Sequence, residues 1–171
     1  LVVNNNGEDG LYINTVESKQ NVTAARCKVT GNGSSGASFL INGGLVVTDS
    51  QFDHNGATGA FAQQFLTESA KPVTFLRTTF NDNQTSNGLY LSIRRRTTLK
   101  SIQASGNGSS GLYLYLRGSV EGLAPLFVDS LTANSNGVHG LALETSSSAA
   151  LSKVTANNNG DHGLQMNAAA A

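Results

Sequence analysis

Residues 107–114 read Asn107-Gly108-Ser109-Ser110-Gly111-Leu112-Tyr113-Leu114: a glycine-bracketed corner that runs straight into alternating side chains. The same phrase returns as Asn6-Gly7-Glu8-Asp9-Gly10, Asn32-Gly33-Ser34-Ser35-Gly36 and Asn55-Gly56-Ala57-Thr58-Gly59. It returns again as Asn136-Gly137-Val138-His139-Gly140 and Asn159-Gly160-Asp161-His162-Gly163. A copy one residue longer spans Asn83 to Gly88. The second glycines, Gly10, Gly36, Gly59, Gly88, Gly111, Gly140 and Gly163, are separated by 26, 23, 29, 23, 29 and 23 residues, so long and short units alternate. A fixed period of this size marks a repeat architecture.

After each second glycine, apolar residues occupy the first and third positions, as in Leu89/Leu91, Leu112/Leu114, Leu141/Leu143 and Leu164/Met166. The residue between them, Tyr12, Tyr90 or Tyr113 in three copies, faces the other way. Such period-two alternation is a strand signature. Three and five residues before each Asn lie pairs such as Val29/Cys27, Phe80/Thr78 and Ala133/Leu131. Eight and ten residues before it lie Val47/Leu45, Phe75/Val73 and Val128/Leu126. Each unit therefore reads as three short strands, and the chain as an all-β parallel solenoid of about seven coils over residues 1–167. At a strand spacing of ~4.8 Å the stack is a rod of roughly 30 Å.

Stacking is obligatory on energetic grounds. Ordering each residue of a coil costs about 1–2 kcal/mol, and its few inward side chains return only about 1.5–3 kcal/mol apiece. One coil cannot fold alone, and neighbours supply the missing hydrogen bonds and buried edges. At the corners Asn6, Asn32, Asn55, Asn107, Asn136 and Asn159 are expected to be structural. Asn and Gly tolerate left-handed backbone, and aligned Asn amides can hydrogen-bond as a ladder.

This pattern resembles the right-handed parallel β-helix repeat of the pectate-lyase-like superfamily, from Asn4 to about Met166. The resemblance implies a right-handed solenoid. Activity stays open, because that superfamily includes polysaccharide lyases, hydrolases and epimerases, phage tailspikes and noncatalytic surface proteins. Its lyases use clustered calcium-binding aspartates with an Arg or Lys base, and no such cluster falls on adjacent coils here. Val138-His139-Gly140 and Asp161-His162-Gly163 lack the leading glycine of the Gly-His-Gly motif found in polygalacturonase-like members. No catalytic residue is carried over.

Composition narrows the rest. The 171 residues hold 11 Lys and Arg against 11 Asp and Glu, a formal charge of zero, which argues against nucleic-acid backbone binding. No apolar run approaches the roughly 20 residues of a membrane span. The single cysteine, Cys27, matches a core position. No cofactor is expected. Arg94-Arg95-Arg96 lies at a corner between two long coils whose extra residues, near Gln64–Lys71 and Leu116–Pro125, carry Glu68 and Glu121. With Tyr90 and Tyr113 stacked outward nearby, these residues are the candidate glycan site. No metal is expected: His139 and His162 occupy equivalent places in successive coils, where other coils put Asp9, Ser35, Thr58 and Ser110, and read first as solvated corner residues, with Asp161 and the two imidazoles as the candidate ligands otherwise. The Asn-x-Ser/Thr triplets beginning at Asn21, Asn32, Asn83 and Asn107 fit the glycosylation pattern, two of them as by-products of the corner.

The uncapped repeat and the missing catalytic clusters point first to a noncatalytic structural or adhesive β-helix. It would be extracellular or at a cell surface, continuing in a longer solenoid or self-associating. Ala168 to Ala171 are expected to be a tail of unassigned residues. The alternatives are a polysaccharide-active enzyme or tailspike-like depolymerase, and a glycan-binding module.

Overall fold

The protein was analysed as a computed structural model, which describes residues 1–65, 71–117 and 125–168, Ala168 in its backbone only. Glu68 and Glu121, most of both long-coil loops and residues 169–171 lie outside the described residues. Strands make up all the regular structure described: β1 (Val2–Asn4), β2 (Leu11–Asn14), β3 (Val22–Ala25), β4 (Lys28–Thr30), β5 (Ala37–Ile41), β6 (Leu45–Thr48), β7 (Ala60–Gln64) and β8 (Val73–Thr79). They continue as β9 (Leu89–Ile93), β10 (Thr97–Gln103), β11 (Leu112–Leu116), β12 (Leu126–Thr132), β13 (Leu141–Thr145), β14 (Ala149–Thr155) and β15 (Leu164–Ala168).

Every pairing is parallel and joins a strand to its counterpart one coil away. A seven-stranded sheet runs β15-β13-β11-β9-β7-β5-β2, a six-stranded sheet runs β14-β12-β10-β8-β6-β3, and β1 pairs with β4. The register follows the repeat: Leu89 pairs with Leu112 and Leu112 with Leu141. Seven corners thus enclose about six complete turns, slightly fewer than the seven coils expected, since a turn is the path between two corners.

The core is a column of the inward pairs. Leu89, Leu91, Leu112, Leu114, Val73, Phe75, Phe52 and Phe80 are all fully buried. Phe52 and Phe80 stack at 5.6 Å between ring centroids, and Phe75 meets Phe80 edge-on. Thr78, Ser50 and Thr97 sit in the same buried rows. The Thr78 and Ser50 hydroxyls donate to the carbonyls of Leu76 and Thr48, so burying them leaves no hydroxyl unpaired. Cys27 is likewise buried.

Two features differ from the three-strand unit. In β8, β10, β12 and β14 the two upstream strands merge into one strand of seven residues. A single left-handed residue bends each: Arg77, Ser101, Ser130 and Lys153, with φ between 46° and 64°. Pairing resumes beyond the bend, so Lys100 pairs with Asp129 and Ile102 with Leu131. The unit is two-stranded there because one residue per coil turns the chain without breaking the ladder.

The second difference concerns the corner. The left-handed residue is the one before the conserved-spacing Asn: Asn5, His54, Asp82, Ser135, Asn158, and Gly31 and Gly106 where glycine stands. The glycines that close each corner are needed for close approach instead. A Cβ on Gly111 would lie 2.5 Å from the Ala104 carbonyl oxygen and 2.7 Å from that of Gly140. The Asn side chains hydrogen-bond coil to coil. The Nδ2 of Asn32, Asn55, Asn83, Asn107 and Asn136 each donates to Oδ1 of the next Asn, at 2.9–3.1 Å. Asn32, Asn83 and Asn107 are buried in this ladder, which removes them as glycan-attachment sites; Asn21 alone of the four triplets is exposed.

Candidate functional site

The outward row of the seven-stranded sheet is set by the residue between the two inward apolar positions. In β7, β9 and β11 this residue is aromatic. Phe61 and Tyr90 stack at 5.2 Å, Tyr90 and Tyr113 at 5.4 Å with parallel planes. Registered pairing forces this, since Phe61 pairs with Tyr90 and Tyr90 with Tyr113. The ring faces are therefore spent on one another, and what the column offers a ligand is its edges and hydroxyl groups. Phe61 belongs to the column and escaped the sequence reading because its strand begins with the weak pair Ala60/Ala62. The position rule alone identifies it.

Two residues further along the same face stand Tyr115 and Glu144, paired in register. The Tyr113 hydroxyl donates to the Glu144 carboxylate. That hydrogen bond, with burial second, pushes the Tyr113 phenol up to about 12. Glu144 is thereby held through one carboxylate oxygen, and no hydrogen bond from another described residue engages the second. The guanidinium of Arg117 lies over the Tyr115 ring at 4.3 Å from its centroid.

Arg117 occupies the position that Arg94 occupies one coil earlier, each following the last inward residue of its strand; the Arg117 amide donates to the Ile93 carbonyl at 3.0 Å. Arg94 is braced from below. Its amide donates to Oε1 of the buried Gln64 at 3.2 Å, while Nε2 of Gln64 holds the carbonyls of Gly43 and Lys71. The arginine run then rounds the corner: Arg96 presents its guanidinium to Phe127 on the six-stranded sheet, 5.9 Å from the ring centroid. Arg94 and Arg95 are half-buried and Arg96 is exposed.

Of the sequence candidates, Tyr90 and Tyr113 are thus brought onto one surface, with Arg94 at its edge and Arg96 turned to the adjoining face. Arg117 and Glu144 were not singled out from sequence. Arg117 was legible as the sixth residue after Gly111, just as Arg94 is the sixth after Gly88.

His139 and His162 stand in successive coils with ring centroids 5.4 Å apart, and Asp161 reaches both. The acidic residues Asp49 and Asp53 do not converge on a common point. Asp49 holds Arg77 bidentately at 2.6 and 2.8 Å. Asp53 accepts the Asn81 amide at 2.7 Å and the Thr79 hydroxyl at 2.8 Å. Asp129 lies between Lys100 and Lys153 on the six-stranded face. Among the described residues no helix is long and apolar enough to cross a membrane.

A family model described as a right-handed beta helix region matches residues 1–123. The crystal structure of the periplasmic alginate epimerase AlgG is similar over 90% of this chain, with a TM-score of 0.71 and 17% identity. A double mutant of that enzyme gives a TM-score of 0.66 at 15% identity over 92% of this chain. The chain spans 38% of the length of either structure. No curated protein matches it in sequence. With more than half its length matched by the family model and every described strand in parallel solenoid pairing, the chain belongs to the right-handed β-helix family.

Proposed function

We propose that this chain is part of a secreted or periplasmic β-helix that handles an acidic polysaccharide along the outward face of its seven-stranded sheet. The observation that carries the reading is the surface formed by Tyr90, Tyr113, Tyr115 and Glu144, edged by Arg94 and Arg117. A glycan offers hydroxyl groups and, when acidic, carboxylates. Phenol hydroxyls and the second Glu144 oxygen can hydrogen-bond the former, and the two guanidinium groups can receive the latter in two-point contacts. Successive coils repeat these groups along the rod axis, which suits an extended chain better than a compact ligand. The alginate epimerase that shares the fold acts on an acidic polysaccharide, in keeping with this choice.

The test is affinity electrophoresis of the protein in gels containing alginate, polygalacturonate or a neutral glucan. Retardation is expected in the acidic gels and is expected to fall at least about tenfold in affinity when Arg94 and Arg117 are both replaced by Ala, the loss of two charge-assisted contacts. Equal migration in all gels overturns the reading and leaves the scaffold or adhesive role, with self-association of coils, as the account of the rod. Product analysis of the bound glycan then separates turnover from binding.

A further inference from the structure

The corner preceding β13 and β15 carries a group of side chains that the glycan surface does not use. Nδ1 of His162 lies 2.9 Å from one Asp161 carboxylate oxygen, and Nδ1 of His139 lies 3.8 Å from the other. One ligand atom from each of the three residues lies within 4.8 Å of the other two. In a tetrahedral zinc site with bonds of about 2.0–2.2 Å, adjacent ligand atoms stand roughly 3.3–3.6 Å apart. Small side-chain rotations therefore bring all three into a first coordination sphere.

Other coils show what this position does when no ligand is involved. Asp9 accepts the Ser35 amide at 2.9 Å, and Asn87 accepts the Ser110 amide at 3.0 Å, each capping the next coil. His139 meets the His162 amide at only 3.4 Å, a long contact, and keeps its ring nitrogen turned toward the carboxylate. A small polar residue would cap better. In the metal-free corner an Nδ1–H of His162 can donate to the Asp161 carboxylate at 2.9 Å, and a bound cation would take that proton's place among the three groups. The donor set is two nitrogens and one carboxylate, which suits zinc and its neighbours among transition metals and is too poor in oxygen for calcium.

We propose that His139, Asp161 and His162 form a zinc-type divalent metal site that clips together two successive coils. The ion is held by three protein ligands, with the remaining positions open to water. Its energetic role is to tie residue 139 to residues 161 and 162, adding to stability in proportion to the logarithm of ion concentration above its dissociation constant.

The test titrates the metal-free protein with Zn²⁺ against a chromophoric chelator, and with Co²⁺ for its visible absorption. One ion per chain is expected. H162Q and D161N, at side chains more than half exposed and so harmless to folding, are each expected to weaken binding at least about tenfold. H54Q serves as the control, since His54, which meets Asp82 at 3.6 Å, lies outside this corner. Zn²⁺ is also expected to raise the melting temperature of the parent protein and of H54Q but not of H162Q. Absence of stoichiometric binding, or binding that survives both H162Q and D161N, overturns the proposal. Neither readout involves a glycan, so the result is independent of the proposed function.

Discussion

Replacing Asn107 by alanine tests the amide ladder at one of its buried members. Asn107 is 2% exposed and its neighbour Asn83 is fully buried. Oδ1 of Asn107 accepts the Asn83 backbone amide at 3.1 Å and the Asn83 side-chain amide at 2.9 Å. Its own Nδ2 donates to Asn136 Oδ1 at 3.0 Å. The Asn83 side chain keeps a second acceptor, the Phe52 carbonyl, and Asn136 Oδ1 keeps the Asn107 amide. The Asn83 backbone N–H loses the acceptor that Asn107 provides. Leaving a buried donor unsatisfied costs about 1–3 kcal/mol, and the two further hydrogen bonds are worth about 0.5–1.5 kcal/mol each. The sum is a destabilisation of roughly 2–6 kcal/mol. Asn6, at the exposed end of the ladder, makes one such side-chain donation, to Asn32 at 2.9 Å, so Asn6→Ala is expected to cost only about 0.5–1.5 kcal/mol. The assay is urea unfolding followed by far-UV circular dichroism. At an m-value of about 2 kcal/mol/M the midpoint falls by roughly 1–3 M for Asn107→Ala and by less than about 0.8 M for Asn6→Ala. Equal shifts for the two variants would refute the claim that the ladder carries stability through its buried members.

Three further outcomes follow from particular contacts. Gly111→Ala drives a Cβ into the carbonyls of Ala104 and Gly140 and is expected to cost about 1–3 kcal/mol or more, whereas Gly7→Ala, with nothing within 4 Å, is expected to be neutral or slightly stabilising; thermal melts of the pair decide this. Asp53 is pushed up, chiefly by burial, against the opposing hydrogen bonds from Asn81 and Thr79. Its folded pKa lies above its unfolded one, so it favours the fold most below the ordinary carboxylate range, and that contribution is lost as pH rises through the folded value. Asp53→Asn, which copies Asn81 and Asn134 in the same column, is therefore expected to be stabilising at pH 7 and neutral near pH 3, measured by denaturation at both. Spectrophotometric titration of the tyrosines is expected to show one phenol near 12 that moves back toward ten in Glu144→Gln; an unchanged high-pH transition contradicts the Tyr113–Glu144 pairing.

Much of the fold was legible because the inward rows obey chemistry. Positions such as Leu112, Leu114, Phe75 and Val128 must be apolar in every coil, so their spacing from Asn and Gly announces the strands. The left-handed bends were not legible. Arg77, Ser101, Ser130 and Lys153 share a backbone conformation but no residue type, because their side chains point to solvent and nothing selects among them. The corner glycines were read as conformational when close approach of successive coils is what requires them, a distinction only geometry makes. On the candidate surface, Tyr90 and Tyr113 stood out by type; Phe61 and Arg117 follow from position within the repeat, while Glu144 acquires meaning only once register places it beside Tyr115.

The central claim, that the tyrosine face and its arginine edge receive an acidic glycan, is tested most directly by backbone-amide NMR during titration with an oligouronate. Shift changes are expected to cluster in β9, β11 and β13 and at Arg94 and Arg117. Changes confined to the opposite sheet around Lys100, Phe127 and Asp129, or none at saturating oligosaccharide, contradict it.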